Sequence, residues 1–177
     1  MFANWRRQRR RNREIVEDLY GALIARARRP YLFENCGIED TVMGRFEAVT
    51  LEIYLFMRRC RGDAELAPIV QDIVDRFVVD MDDSLRQIGI GDQSVPKRMR
   101  KLTGQFYERV NAYDRALDDA APKEALAEVL RGRVLSKDVD EAVAARLAGE
   151  AMAELAALSD SPASDLLSGQ LDKSGTP

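Results

Sequence analysis

The sequence contains no histidine. That removes the commonest general base, the commonest zinc ligand and every Ser-His or Cys-His nucleophile pair. Cysteine is nearly absent as well. Cys36 and Cys60 stand alone, without the C-x-x-C spacing of a metal knuckle or redox pair, and are expected to be small, partly buried hydrophobes. Proline and glycine are sparse, whereas Ala, Leu, Arg, Glu and Asp dominate, which favours helix over sheet. No apolar run approaches the roughly 20 residues that a bilayer-spanning helix needs. The opening Met1-Phe-Ala-Asn-Trp5 leads into arginines and lacks the apolar stretch of a secretory leader. The expectation is a soluble, cytoplasmic, all-α protein with no cofactor and no metal site.

What is present fits one folded domain. A 46% hydrophobic share over 177 residues is enough to bury a core, and the 32% charged share suits the outer faces of helices. Charge is unevenly placed. Up to Gly62 there are 13 lysines and arginines against 8 acidic residues; from Asp118 onward the counts are 6 and 12. Six arginines fall in the first stretch: Arg6, Arg7, Arg9, Arg10, Arg11 and Arg13. They read either as a solvated helix start or as an electrostatic foot on a polyanion, lipid headgroups or ribosomal RNA. Near an anionic membrane each basic group is worth about 1 kcal/mol. Residues 1–13 are therefore set apart as a basic segment, 14–158 as the helical domain and 159–177 as a tail.

Apolar residues at Ile15, Val16, Leu19, Tyr20, Leu23, Ile24 and Ala27 keep the spacing of one helical stripe, which Pro30 ends. "YLFENCGIED" reads as a loop or single turn. A second helix, from about Glu39 to Arg61, is apolar on more than one face and belongs either at the centre of a bundle or along a groove. A third, from Asp63 or Ala64 to Ile88, carries a long three-four stripe, with aspartates mainly between its apolar positions. The short link between these two makes them antiparallel neighbours. A fourth runs from about Val95 to Leu117. A short helix with a Gly132 interruption and an Ala-rich last helix from near Asp138 follow, giving about six in all. The tail has too few large apolar groups to offset its ordering entropy, and disorder is expected there.

"MDDSLRQIGIGDQSVPKRMRKL", Met81 to Leu102, crowds acidic, glycine and basic residues into one span. Gly89 fits a C-terminal helix cap, Asp92 or Ser94 an N-cap and Pro96 a first helical turn. The third glycine of a dinucleotide fingerprint is missing, as are the GK[ST] of a P-loop and the surroundings of an EF-hand. The span reads as a turn between helices.

"RFVVDMDDSLRQIGIGDQSVPKRMRKLTGQFYERVNAYDRAL", Arg76 to Leu117, resembles the ubiquinol–cytochrome c chaperone family. The matching elements are Asp80, Asp82 and Asp83 at an acidic helix end, then the turn Gly89-Ile-Gly91-Asp92. Lys97 follows, and then Phe106-Tyr107 with Arg109 and Tyr113. The likeness extends upstream to Leu19. It implies a non-catalytic assembly factor that holds newly made cytochrome b for ubiquinol–cytochrome c reductase, works near the ribosomal exit and, in mitochondria, acts with a small partner protein. The chain's start reads as that of a bacterial-type member.

On that reading Tyr31, Phe33, Phe106, Tyr107 and Tyr113 are candidate contacts for an apolar client, although the same rings could fill the core. Lys97, Arg98, Arg100 and Lys101 join the N-terminal arginines as candidates for an anionic surface, placing the protein at the ribosome or peripherally at the inner face of the cytoplasmic membrane. The alternative is an RNA- or ribosome-binding helical module using the same basic residues; no DNA partner is expected. A third reading, an enzyme acting through Asp80, Asp92 or Tyr107, lacks any pair with acid-base spacing.

Overall fold

Val42–Arg59 is apolar round most of its circumference, and a helix so patterned is stable only among other helices. In the computed structural model, which describes residues 2–171 and their side chains from residue 10, this helix is the axis of an all-α bundle. Eight helices form among the described residues: α1 (Phe2–Ala27), α2 (Pro30–Glu34), α3 (Val42–Arg59), α4 (Ala67–Gln87), α5 (Val95–Leu117), α6 (Pro122–Leu130), α7 (Glu141–Asp160) and α8 (Ala163–Leu166). Helix α3 packs against α1, α4, α5 and α7. Between Phe46 and Phe56 only Val49 keeps appreciable exposure. The central position, rather than an open groove, is what that apolar excess produces.

Paired side chains fix the helix directions. Glu47 meets Arg109, Tyr54 meets Asp114 and Arg58 meets Asp118, so α3 and α5 run parallel. Phe77 of α4 touches both Phe46 and Phe106, at 6.0 and 5.4 Å between ring centroids, and α4 runs the opposite way between them. Glu17 pairs with Arg76 and Tyr20 with Asp80, so α1 runs with α4. The starts of α3 and α5 and the end of α4 therefore share one end of the bundle. The start of α1 lies at the other.

Pro30–Glu34 takes the turn option of the sequence expectation, a short helix of little more than one turn whose Leu32 is buried. The departure is in the tail. Helix α7 continues to Asp160, α8 follows, and Leu166 and Leu171 are buried in the core. Arg59 fixes the chain reversal by donating to the Leu158 and Ser161 carbonyls at 2.9 and 2.6 Å. Gly169 sits against Ile15 and Asp18 of α1. A few leucines at the right spacing, helped by one arginine, bury a segment whose mean composition is too polar to suggest it. The rest of the expected tail, residues 172–177, lies outside the described residues.

The bundle centre is ionic as well as apolar. Arg26 and Glu154 form a buried pair. Arg29 reaches Glu150 at 3.1 Å, Glu154 at 3.2 Å and Glu52 at 3.5 Å. Two guanidinium groups thus face three carboxyls, and one Glu52 oxygen is buried without a hydrogen bond. Loss of water around Glu52, which is 3% exposed, and the nearby Glu154 charge push its carboxyl up to about 8. Near neutral pH Glu52 keeps its proton, which balances the cluster's charge. In the unfolded chain the same group ionises above about 4.3. The folded state therefore binds the extra proton, and stability falls as pH rises through the interval between those values.

The entry to α3 is set by contact. Thr41 caps it by accepting from the Gly44 N–H at 3.0 Å. A side chain at Gly44 would run into the Glu39 carbonyl oxygen of the incoming strand of chain. Gly44→Ala should thus lose about 2 kcal/mol or more, despite alanine's better helix propensity, as read by urea unfolding. Glu52→Gln should raise the thermal midpoint over wild type at pH 9, by the equivalent of a few kcal/mol, and change it little near pH 4. An offset that stays constant with pH in paired thermal melts would contradict a retained proton.

Candidate functional site

The glycine turn closes α4 by backbone geometry. Gly89 takes a φ of +82°, its N–H bonds to the Arg86 carbonyl at 3.1 Å, and the Ile90 N–H reaches back to Leu85 at 3.2 Å. This is the left-handed glycine cap, with both freed carbonyls satisfied. Arg86 then ties the acidic residues of the motif together, meeting Asp82 at 2.6 Å and Asp92 across the turn. Asp92 is thereby taken from helix capping, and Ser94 makes no side-chain cap either, so α5 starts without the expected N-cap. Gly91 has open space around it and its carbonyl accepts from Ser94 at 2.8 Å. Asp80 accepts a hydrogen bond from the Tyr20 hydroxyl at 2.9 Å, joining α4 to α1. Burial and the Asp80 carboxylate hold the Tyr20 phenol well above its ordinary range. Among the described residues no His, Cys, Asp and Glu side chains cluster as a metal site would need. The acidic motif is a clamp on a turn.

The family aromatics divide into core and surface. Phe46, Phe77, Phe106 and Tyr107 form a chain of rings leading outward, the last step 5.3 Å between centroids. Phe106 is buried and Tyr107 is 51% exposed. Tyr113 is fully buried against Tyr54 at 5.1 Å. Beside it Arg109 grips the buried Glu47 with two bonds of 2.9 and 2.7 Å. Phe106 and Tyr113 are thus corrected from client contacts to core residues. Their helical phase matches that of Val95 and Ala112, which face inward as well. Phe33 is half-buried against the core, while Tyr31 on α2 is exposed.

Other apolar groups take the surface role. Val42 and Met43 at the start of α3, Val79 and Ile88 on α4, and Tyr107 on α5 are exposed. By the helix directions Val42, Met43 and Ile88 lie at the same end of the bundle, Val79 lies slightly nearer that end than Phe77, and Tyr107 stands near the middle of α5 beside Phe106. Val42, Met43 and Ile88 belong to inward stripes by spacing, but their helix ends extend past the neighbours that would cover them. Val79 was legible as an outward residue, because it falls off the three-four stripe that holds Phe77, Val78 and Met81.

The two basic segments are not brought together. Lys97, Arg98, Arg100 and Lys101 lie on the first turns of α5, and all four are exposed. Arg10, Arg11 and Arg13 are exposed near the start of α1, at the opposite end. At 1.5 Å rise per residue the axial separation is roughly 25 Å. Arg10 pairs with Glu14 at 2.9 Å. The side chains of Arg6, Arg7 and Arg9 lie outside the described residues. The two clusters therefore do not form one continuous basic patch. Among the described residues no helix is long and apolar enough to cross a membrane.

A protein family and a solved structure resemble this chain. The family model described as ubiquinol–cytochrome C chaperone matches residues 34–173. It reaches well past Leu117, where the motif resemblance stops, and takes in the Ala-rich helix and the packed tail. The crystal structure of the Cbp3 homolog from Brucella abortus aligns over the whole of both chains with a TM-score of 0.85 and 35% sequence identity. No curated protein matches the sequence. Matched by the family model over residues 34–173 and alike in structure over its full length at 35% identity, the chain belongs to the ubiquinol–cytochrome c chaperone family.

Proposed function

We propose that this protein is a non-catalytic assembly factor that binds newly made cytochrome b on its way into ubiquinol–cytochrome c reductase. The observation that carries this reading is the set of uncovered apolar side chains at and near one bundle end, on a chain of this family. Val79 and Ile88 are 54% and 55% exposed, where a free-standing helical protein gains nothing from apolar side chains. Met43 and Tyr107 add adaptable, high-area contacts suited to an apolar transmembrane segment that has not yet found its neighbours. Such contacts release the client once its own helices pack. Binding and release involve no covalent step, so the reading needs no general base and no cofactor.

The basic residues supply location. The N-terminal arginines and the Lys97–Lys101 cluster hold the cytoplasmic protein peripherally at an anionic surface, the inner face of the membrane or the ribosome, by attraction that salt screens. Their placement at opposite ends favours two separate attachments over one continuous RNA track.

Two outcomes follow. In cells carrying the native gene, Val79→Asp with Tyr107→Asp should lower cytochrome b accumulation several-fold while the purified variant keeps its thermal midpoint within a few degrees. Normal cytochrome b with a stable double variant would contradict client docking at this end. Neutralising Arg6 to Arg13 should abolish the salt-sensitive part of membrane or ribosome association on fractionation. Fractionation that is unchanged at every salt concentration would contradict the electrostatic foot.

A further inference from the structure

The turn between α6 and α7 is built to present cations. Gly132 takes a φ of +84°, its N–H bonds to the Leu135 carbonyl at 2.8 Å, and Arg131 bridges to Leu135. The Lys137 stem packs over Gly132, and the Arg131 Nε donates to the Lys137 carbonyl at 3.2 Å. This tight fold brings Arg131, Arg133 and Lys137 opposite the exposed face of α5. Between them lies an open groove of about 610 Å³, whose other wall includes Arg100, Lys101 and Gly104.

The groove holds far more positive than negative charge. Its one carboxylate, Glu108, is already held by Arg109 and by Arg133 at 2.9 Å. Arg109 is committed inward to Glu47. Arg100, Lys101 and Lys137 make no ion pair among the described residues. Gly104 sits in a helix interior, where glycine is disfavoured. Nothing lies within 4 Å of where its side chain would be, which leaves the groove floor open. Arg131 is also paired, with Glu141 at 3.3 Å, so the uncompensated charge sits on Arg100, Lys101 and Lys137. Like charges round one cavity repel one another, and an anion would relieve that repulsion.

The lining contains no aromatic ring, so no platform exists for stacking a nucleobase. Tyr107 instead stands outside it, two helical turns along α5 from Arg100 on the same face, exposed beside the apolar end. An exposed tyrosine next to phosphate-binding cations suits the boundary between lipid headgroups and acyl chains.

We propose that this groove binds the phosphate of an anionic phospholipid headgroup, with Arg100, Lys101, Arg131, Arg133 and Lys137 as the binding cations. The site rests on the peripheral-membrane part of the reading above and is independent of the client. It gives that attachment a defined place, along the first half of α5, and would orient the apolar end toward the bilayer in which a membrane client resides.

The test is flotation of the full chain with vesicles of phosphatidylcholine alone or mixed in equal parts with phosphatidylglycerol. Arg131→Ala with Lys137→Ala should weaken binding to the mixed vesicles roughly tenfold or more, given the strength of each basic contact at such a surface. Arg28→Ala with Lys123→Ala, an equal charge change away from the groove, should have a clearly smaller effect. Circular dichroism of both variants checks the fold. Equal loss in the two pairs would overturn the groove, as would full competition by millimolar inorganic phosphate, which would mark a free-phosphate site. Tighter retention on RNA than on vesicles, lost with the groove pair, would overturn the lipid assignment. Binding that survives the groove pair but vanishes when Arg6 to Arg13 are neutralised removes the groove alone. Absence of vesicle binding by the wild-type chain removes the peripheral reading with it.

Discussion

The rest of the structure depends on the burial of α3. One helix placed against four others takes its polar groups out of water, and α3 brings Glu47, Thr50 and Glu52 inward along with its apolar residues. Thr50 Oγ1 and one Glu52 oxygen stay without a hydrogen bond. Arg109 answers Glu47 from α5, while Arg29, at the end of α1, reaches toward Glu52 and on to α7. Those pairings set the register of three helices against the axis. Removing Arg109 would strand the Glu47 charge in a medium that cannot solvate it, at a cost of about 3–5 kcal/mol. The ionic pairs thus make the arrangement specific, while apolar burial supplies most of the stabilisation.

Register at the centre decides what is left over at the end. Because α4 and α5 extend past the start of α3, their last and first turns pack mainly on each other, with Leu85 and Val95 buried between them. The outward residues there, Ile88 and the basic cluster from Lys97, have no helix to cover them. The Gly89 turn and the Arg86 clamp hold this projection in shape with backbone bonds and exposed ion pairs. The hairpin thus carries apolar and cationic groups side by side, as the proposed apolar client and anionic surface would require.

Much of this was legible in the sequence, and the reasons for the misses are physical. Periodicity located the five long or medium helices and limited α3 to the bundle centre or a groove, and packing against four helices decides for the centre. The glycine cap was equally readable, because a left-handed residue after an apolar stripe calls for Gly89. The fate of Phe106 and Tyr113 was not, since residue type does not distinguish a ring in the core from one kept for a partner. Only the phase of α5 against Phe77 and Tyr54 settles that. The packing of residues 159–171 is not legible, because mean composition there is polar whereas burial depends on Leu166, Leu171 and a distant Arg59. The groove joins Arg100 to Lys137 across a turn, a proximity that no local pattern carries.

The central claim is that the uncovered end made by α3, α4 and α5 receives the client. Photo-cross-linkers at positions 79 and 107, with a matched pair on the exposed outer face of α7 at Ala153 and Ala156, test it during cytochrome b synthesis in the native cell. The account predicts adducts to cytochrome b from positions 79 and 107 and none from α7. Adducts from α7 alone, or no cytochrome b adduct from either pair, would contradict it.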